Sequence, residues 1–197
     1  MITENYSELV LEHVRRHIDL DKTEETFFIS LLQLQSIKKK DFLLQVNDVC
    51  RYESFVVRGC LRMYSLDHHD TEHIVMFAVE DWWIGDLYSF LMQNPSSFFI
   101  DAIEDCTVLQ LSKKNLDLLY EKVPKFERFF RLIIQNAFIA QQQRINQNLS
   151  LTAEERYLYF IAKYPGMEQR IPQKQVAAYL GITPEFLSMI RKKLSRT

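Results

Sequence analysis

The chain of 197 residues is long enough for one large or two modest domains, and its 47% hydrophobic and 25% charged residues are ordinary for a globular protein. A formal net charge of −2 excludes a protein coated in basic surface. No apolar run reaches membrane-spanning length, and the N-terminus, with Glu4 and Glu8, lacks a basic and then apolar leader. We therefore expect a cytoplasmic protein with no membrane partner.

The positive charge is concentrated near the C-terminus. Residues 163–197 hold seven Lys and Arg residues against Glu168 and Glu185, a balance of +5 that leaves −7 on the rest of the chain. A local basic surface is what contact with nucleic-acid phosphates requires, although a solvated basic tail would give the same count.

Helices are predicted at the start of the chain. Residues 1–20 carry apolar side chains at helical spacing, and a second helix is expected from about Thr23 to Leu34, capped by Asp21 or Thr23.

Between Ser36 and Ser112 the hydrophobic period changes to that of strands. Short β-branched or aromatic runs (DFLLQV, SFVVRGCLRMYSL, EHIVMFAV, SFFIDAI and TVLQLS) are separated by turn residues, which predicts an antiparallel sandwich or barrel. Because the chain has only four glycines, Asn, Asp and His must take many of the turn positions.

Catalytic and metal-binding motifs are weak. A β-barrel allows a metal-dependent cupin-type enzyme, but the cluster of His68, His69 and His73 falls at a hairpin turn without His-x-His spacing, which favours exposed turn histidines. His13 and His17 are likewise interpreted as surface residues. Three cysteines without a CxxC pair predict buried free thiols rather than a disulfide, a metal site or a cofactor. We expect no enzyme and no catalytic residue.

A short helix is predicted at Lys113–Lys122 and a long one from Lys125 to about Leu149. The long helix has an apolar stripe wider than one partner surface needs, so we expect it to lie between its own subunit and a second copy, although an ordinary core helix is the alternative. The predicted dimer interface, at heptad spacing, is Phe126, Phe130, Ile133, Ala137, Ala140 and Arg144. The residues that widen the stripe are Phe129, Ile134, Phe138, Ile145 and Leu149.

After a helix capped by Ser150 or Thr152 and a wing-like segment with Arg170 and Ile171, the stretch Ile171–Leu194 predicts two short helices joined by a tight turn. Gly181 suits the turn, Thr183 can cap the second helix, and Pro184 suits its first position. A plain helical hairpin is the alternative to a helix-turn-helix that binds DNA.

The second helix of this motif divides into two faces. Leu187, Ile190 and Leu194 are expected to pack inward. We predict that Glu185, Ser188, Met189 and Lys192 contact bases. The predicted phosphate contacts are Gln173, Lys174, Thr183, Arg191, Lys193 and Arg196.

The order of these parts resembles the Crp/Fnr family of bacterial transcription regulators over nearly the whole chain, and is most similar to the Crp-like regulators of Bacteroidetes-type bacteria. The resemblance rests on VVRGCLRMYSLD, EDWWIGDLYSF, AEERYLYFIAKYP and QKQVAAYLGITPEFLSMIRKKL. It implies an α+β fold in three parts: a cyclic-nucleotide-binding-like double-stranded β-helix (β-roll or jelly roll) with N-terminal helices at 1–124, a dimerisation helix at 125–149, and a winged helix-turn-helix at 150–197.

The chain departs from the family's cyclic-nucleotide pocket. The Gly-Glu-Leu turn is Gly85-Asp86-Leu87 here, and the arginine-containing phosphate-binding pair is replaced by Ser96-Ser97. These five residues mark the expected effector pocket, and cyclic AMP is not expected as the effector. Met189 stands where the family often has a guanine-reading arginine, whereas Glu185 keeps its acidic residue.

The sequence thus predicts a homodimeric, sequence-specific regulator that binds a pseudo-palindromic site on double-stranded DNA, with RNA polymerase as a candidate further partner. The alternative is a β-roll module that binds a small ligand, a cyclic nucleotide or another anion, and whose helix-turn-helix is structural.

Overall fold

The computed structural model describes residues 4–195, and it describes side chains from Tyr6 onwards. The chain forms two compact units. The N-terminal unit contains the residues up to Ser65 and Met76–Gln135, and the C-terminal unit contains Leu66–Val75 and the residues from Asn136 onwards. Within the described part of the chain, no helix is long and apolar enough to cross a membrane.

The first part of the chain is a β-roll with helices before and after it. Its elements are α1 (Glu4–Arg15), α2 (Lys22–Ser30), β1 (Leu32–Ile37), β2 (Phe42–Leu44), β3 (Tyr52–Arg58), β4 (Leu61–Leu66), β5 (Glu72–Ala78), β6 (Trp83–Ile84), α3 (Leu87–Met92), β7 (Phe99–Ala102), β8 (Cys106–Ser112) and α4 (Lys113–Lys122).

The rest of the described chain is helical. Helix α5 starts in the N-terminal unit and ends in the C-terminal unit. The helices are α5 (Lys125–Ser150), α6 (Ala153–Lys163), α7 (Met167–Arg170), α8 (Gln173–Leu180) and α9 (Pro184–Leu194).

Two four-stranded sheets form the β-roll. Their strand orders are β1-β8-β3-β6 and β2-β7-β4-β5. The pairings of β8 with β1 and β3, of β7 with β2 and β4, and of β6 with β3 are antiparallel. Strand β8 lies inside its sheet and is buried at every position from Cys106 to Leu111, because both of its faces are covered. The predicted antiparallel jelly roll is confirmed.

Aromatic side chains hold the helices of the N-terminal unit against the sheet. The ring of Phe55 on β3 lies 5.4 Å from that of Trp83, and the Trp83 ring lies 5.5 Å from that of Phe130 on α5. Phe28 and Phe126 are in ring contact at 4.6 Å. Burial of each of these aromatic side chains stabilises the folded state by about 1.5–3 kcal/mol.

Several turns use residues other than glycine, as the low glycine content predicts. Asn47, Asp70 and Asp81 adopt positive φ angles, and their short polar side chains tolerate this region better than most. Lys40 and Gln93 also do so.

Three local predictions are wrong. Helix α2 ends at Ser30, because Leu32 and Leu34, predicted as helical, pair with Leu111 and Leu109 of β8. The segment expected to be wing-like is the short helix α7, and the described residues contain no strand after Ser112. His13 is buried rather than on the surface: its Nδ1 lies 2.8 Å from Asp81, and burial lowers its pKa.

The cysteine prediction is confirmed, because Cys50, Cys60 and Cys106 are free and buried. Burial raises the pKa of Cys50 and of Cys106 to about 11, so both side chains stay protonated thiols near neutral pH.

Candidate nucleic-acid interface and effector pocket

Helices α8 and α9 are joined by a three-residue turn that begins at Gly181. Gly181 has a φ of +67°, in the left-handed region that a residue with a Cβ adopts at a cost. Thr183 Oγ1 accepts a hydrogen bond of 3.2 Å from the Phe186 N–H, and Pro184 is the first helical residue. The turn and both end signals lie where the sequence predicts them.

A buried apolar seam lies on the inner faces of the two helices. Val176, Ala177 and Leu180 of α8 are buried, as are Leu187 and Ile190 of α9. The small side chain of the fully buried Ala177 lets the helices approach closely. Burial of the two α9 residues contributes about 1.5–3 kcal/mol each and fixes which face of α9 turns outward.

The outward face of α9 carries the four predicted base-contacting residues. Glu185, Ser188, Met189 and Lys192 are all exposed, and Met189 has 60% of its surface accessible. Together they offer a carboxylate acceptor, a hydroxyl, an apolar thioether and an ammonium donor. These groups match the donor, acceptor and methyl pattern that base edges present in a major groove.

The predicted phosphate-contacting residues differ in their exposure and in their bonding partners. Arg191 is half-buried and hydrogen-bonds to Tyr157, and Lys193 Nζ donates to Glu154 Oε2 at 2.5 Å. Both cations already have partners within the C-terminal unit. Arg196 lies outside the described residues. Gln173, Lys174 and Thr183 are exposed, as is Lys193.

The predicted dimer interface on α5 needs correction at three positions. Phe126 and Phe130 are buried inside the N-terminal unit, and Arg144 hydrogen-bonds to main-chain carbonyls of its own chain. These side chains are therefore not available to a second subunit. Of the other predicted interface residues, Ala137 is exposed and Ile133 and Ala140 are half-buried.

A different face of α5 carries exposed apolar side chains. Ile134, Phe138, Ile145 and Leu149 follow one another at steps of four, seven and four, and Phe138 and Leu149 are 62% and 83% exposed. At about 100° per residue, this face lies roughly a quarter turn from the predicted one. We refer to these four residues as the exposed stripe.

The β-roll contains a cavity of about 270 Å³ at the predicted effector pocket. Gly85 lines it, but Leu87 and Ser97 are exposed. The charged lining residues are Asp48 and Arg51, and both are exposed. The lining is Leu43, Leu44, Asp48, Val49, Cys50, Arg51, Tyr52, Ser54, Ile84, Gly85, Ile100 and Gln110.

Asp86 and Ser96 are buried and bonded to each other. Ser96 Oγ donates to Asp86 Oδ2 at 2.7 Å and accepts from the Phe98 N–H at 3.0 Å. Asp86 Oδ1 accepts from the Ser89 N–H at 3.3 Å and caps α3. Asp86 and Ser96 thus satisfy each other, and neither Ser96 nor Ser97 supplies a cation where the resemblance places an arginine.

A second carboxyl group lies beside this turn. The Oε1 atom of Glu53 is buried without a hydrogen-bond partner, and a Cβ on Gly85 would come within 2.6 Å of it. Burial, and then the negative charge of Asp86, raise the pKa of Glu53 to about 8. A side chain at position 85 would require the Glu53 carboxyl to move, and the surroundings of this turn disfavour added negative charge.

The buried arginine of the β-roll is already neutralised. Arg62 on β4 donates from Nε and Nη2 to the two carboxylate oxygens of Asp101 on β7, at 2.7 and 2.9 Å, and lies over the Tyr64 ring. Sequence reasoning missed this pair. An arginine in an otherwise apolar strand, LRMYSL, is the signal that could have indicated it.

The histidines of the β4–β5 turn bond locally. His73 Nε2 lies 2.9 Å from Asp67 Oδ2, and this contact, with two main-chain N–H donors, lowers the pKa of Asp67 to about 2. Among the described residues, no group of three or more His, Cys, Asp and Glu side chains is placed to hold a metal ion.

Comparisons with known proteins agree with this architecture. The family model of the cyclic nucleotide-binding domain matches residues 34–122. The anaerobic regulatory protein of Pasteurella multocida is 26% identical over 175 residues, which cover 81% of this chain and 62% of that protein. The fumarate and nitrate reduction regulatory protein of Vibrio cholerae is 23% identical, with 97% of this chain and 78% of that protein covered. The chain therefore spans less than two thirds of the first relative's length.

Solved structures share the fold at low sequence identity. FixK2 from Bradyrhizobium japonicum superposes with a TM-score of 0.74 at 18% identity, covering 84% of this chain and 85% of that one. A transcriptional regulator of the Crp/Fnr family from Eubacterium rectale gives a TM-score of 0.70 at 17% identity, covering 98% and 88%.

The buried carboxyl of Glu53 predicts a pH-dependent stability difference. Its pKa is raised from about 4.5 to about 8 in the folded state, so the folded protein loses stability as the pH rises through this window. Glu53→Gln removes the ionisation and should raise the free energy of unfolding by about 3–5 kcal/mol at pH 9, with little effect at pH 4.5. Urea unfolding at both pH values measures this. The exposed Glu127→Gln serves as control, and an equal effect of Glu53→Gln at both pH values would contradict the account.

Proposed function

We propose that this chain, whose residues 34–122 match the cyclic nucleotide-binding domain and which is similar to Crp/Fnr regulators, is a homodimeric, sequence-specific DNA-binding transcription regulator of the cytoplasm. The observation that carries the proposal is the pair α8–α9. Its buried seam fixes the helices, and its outward face exposes Glu185, Ser188, Met189 and Lys192.

The chemistry of the outward face indicates which contacts give specificity. Glu185 can accept a hydrogen bond from cytosine N4, and the Met189 thioether can contact a thymine methyl group. Lys192 adds a donor at the same face. Exposed Lys174 and Thr183, by contrast, lie at the starts of α8 and α9, where contacts to phosphate oxygens position a reading helix without specifying sequence.

The exposed stripe on α5 supports the dimer. Ile134, Phe138, Ile145 and Leu149 would leave a long apolar strip in water in a single copy, and heptad spacing suits packing against the same strip of a second copy. A two-fold axis along α5 places two copies of α9 on one side of DNA. It therefore predicts a pseudo-palindromic site with half-sites about 34 Å apart.

The pocket argues against a cyclic nucleotide as effector. Enclosing a cyclic phosphate requires a cation or several converging N–H donors. Ser96 supplies one neutral hydroxyl that is already bonded to Asp86, Arg62 is paired with Asp101, and Arg51, which lines the cavity, is exposed to solvent. The negative charge of Asp86 would instead oppose the phosphate charge, whereas the Glu53 carboxyl, whose pKa is raised to about 8, is neutral near pH 7.

A β-roll module that binds a small ligand, with a structural helix-turn-helix, is the second candidate, and the 270 Å³ cavity favours it. The two candidates differ in their behaviour on DNA resin. The net charge of −2 gives the chain no general attraction to DNA. Salt-dependent retention at neutral pH is therefore expected only if the helix-turn-helix binds DNA.

Substitutions of predicted phosphate contacts and of predicted base contacts should have different effects on DNA binding. Lys174→Ala should weaken binding to every sequence alike and reduce the salt slope by about one unit. Glu185→Ala should change base preference by roughly 1–3 kcal/mol at one position. Fluorescence anisotropy on specific and random duplexes at several salt concentrations measures both. Equal losses on both duplexes for Glu185→Ala would refute the assigned groove face.

Charges placed in the exposed stripe should separate the subunits. Ile134→Glu with Phe138→Glu puts like charges where two copies meet, and we expect a light-scattering mass of one subunit at micromolar concentration. Asn146→Glu, an exposed position on another face of α5, should leave the mass at two subunits. A one-subunit mass for the unchanged protein would show the dimer proposal to be wrong.

Cyclic AMP and cyclic GMP should bind weakly at best. A charge-assisted bond contributes on the order of 1.5–3 kcal/mol and a neutral one about half of that, so losing both bonds of a bidentate arginine costs about tenfold to a hundredfold in affinity. Calorimetry with each nucleotide is the measurement. Saturable binding in the low-micromolar range would restore a cyclic-nucleotide-gated regulator.

A further inference from the structure

The C-terminal unit has a cavity of its own, of about 380 Å³, between the C-terminal half of α5, α6 and α8. Three cationic side chains line it, Arg144, Arg156 and Lys163, and none of its lining residues is acidic. The other lining residues are Ala140, Gln143, Gln147, Asn148, Tyr159, Phe160, Ala162, Tyr179 and Leu180.

Arg144 brings a positive charge into this cavity without a carboxylate beside it. Its guanidinium donates to the main-chain carbonyls of Ile74, Val75 and Tyr179, and lies 4.0 Å from the centre of the Tyr179 ring. These dipoles hold the group in place but do not neutralise it. Burial accordingly lowers its pKa, and the charged form is less favourable here than in water.

Arg156 has an unused donor at the same cavity. Its Nη1 donates to the Asn148 carbonyl at 3.3 Å, whereas its Nε is buried with no hydrogen-bond partner. An unsatisfied buried donor on a charged group is costly, and an acceptor that enters the cavity would satisfy it.

Lys163 adds like charge to the cluster. Partial burial, and then the nearby Arg144, lower the pKa of Lys163. The positive charges of Arg144 and Lys163 repel each other. One anion bound between them would stabilise the charged forms of both.

We propose that this cavity binds a small organic anion that carries a phosphate or carboxylate group, held by Arg144, Arg156 and Lys163. A volume of about 380 Å³ lies within the size range of sites for metabolite-sized ligands. The Gln143 and Gln147 amides can bond the polar body of such a ligand, and Tyr159 offers an aromatic wall. The site is separate from the β-roll cavity, whose charged lining residues are Asp48 and Arg51.

Calorimetry on the full chain without DNA tests the proposal, with inorganic pyrophosphate and citrate as probes. We expect saturable binding of at least one of the two with one site per subunit. Loss of one charge-assisted bond in Arg156→Gln, and of one charge in Lys163→Gln, should each weaken that binding about tenfold or more. Because Lys163 is not part of the buried core, its replacement tests the site without disturbing the core.

Two matched variants and a competition experiment serve as controls. Arg131→Gln and Lys114→Gln remove exposed cations outside the cavity, and neither should change the affinity for the probes. A random DNA duplex should not displace the bound anion, since displacement would mean that the cluster serves the DNA backbone and would overturn the proposal. Absence of saturation by both probes, or equal binding by Arg156→Gln and Lys163→Gln, would also overturn it. None of these outcomes depends on whether the protein is a regulator.

Discussion

Helix α5 carries two apolar stripes, and the rest of the structure depends on which of them is buried within the chain. Phe126, Phe129 and Phe130 are buried in the N-terminal unit, which fixes the rotation of the helix about its axis. With that rotation set, the side chains of Phe138, Ile145 and Leu149 are left in water. A single copy can bury one stripe only. The exposed one therefore carries the argument for a second subunit, and with it for a two-fold arrangement of the α8–α9 pairs.

The two units differ in their electrostatics, and this difference bears on how the protein would be regulated. In the N-terminal unit, buried arginine charge is matched by a carboxylate, as in the Arg62–Asp101 pair, and the turn at Gly85 lies beside an excess of carboxyl groups. In the C-terminal unit, Arg144 relies on carbonyl dipoles alone. Added negative charge is thus disfavoured beside the turn at Gly85, whereas the cavity lined by Arg144 is the one proposed to bind an anion.

The parts that could be predicted from sequence are those set by local chemistry. Gly181, Thr183 and Pro184 each have a backbone reason for their position, and the structure places each where that reason requires. The start of α5 after Pro124 and the capping box of α6, in which Thr152 and Glu155 bond reciprocally, are of the same kind.

The parts that could not be predicted depend on contacts distant in sequence. Leu32 and Leu34 suit a helix or a strand, and only pairing with β8 decides between them. Heptad spacing indicates both apolar stripes of α5, but it does not show which of them packs against the rest of the same chain. The prediction that Arg144 contacts a second subunit therefore fails, since Arg144 bonds to its own chain. Its partners at 74, 75 and 179 carry no sequence signal, because any residue supplies a main-chain carbonyl.

The most direct test of a dimeric, sequence-specific DNA-binding protein is selection of duplexes from a random pool by the purified full chain. The account predicts enrichment of an inverted repeat whose half-sites lie about one helical turn, roughly 34 Å, apart. Enrichment of no sequence, or of a single half-site without its inverted copy, would contradict it.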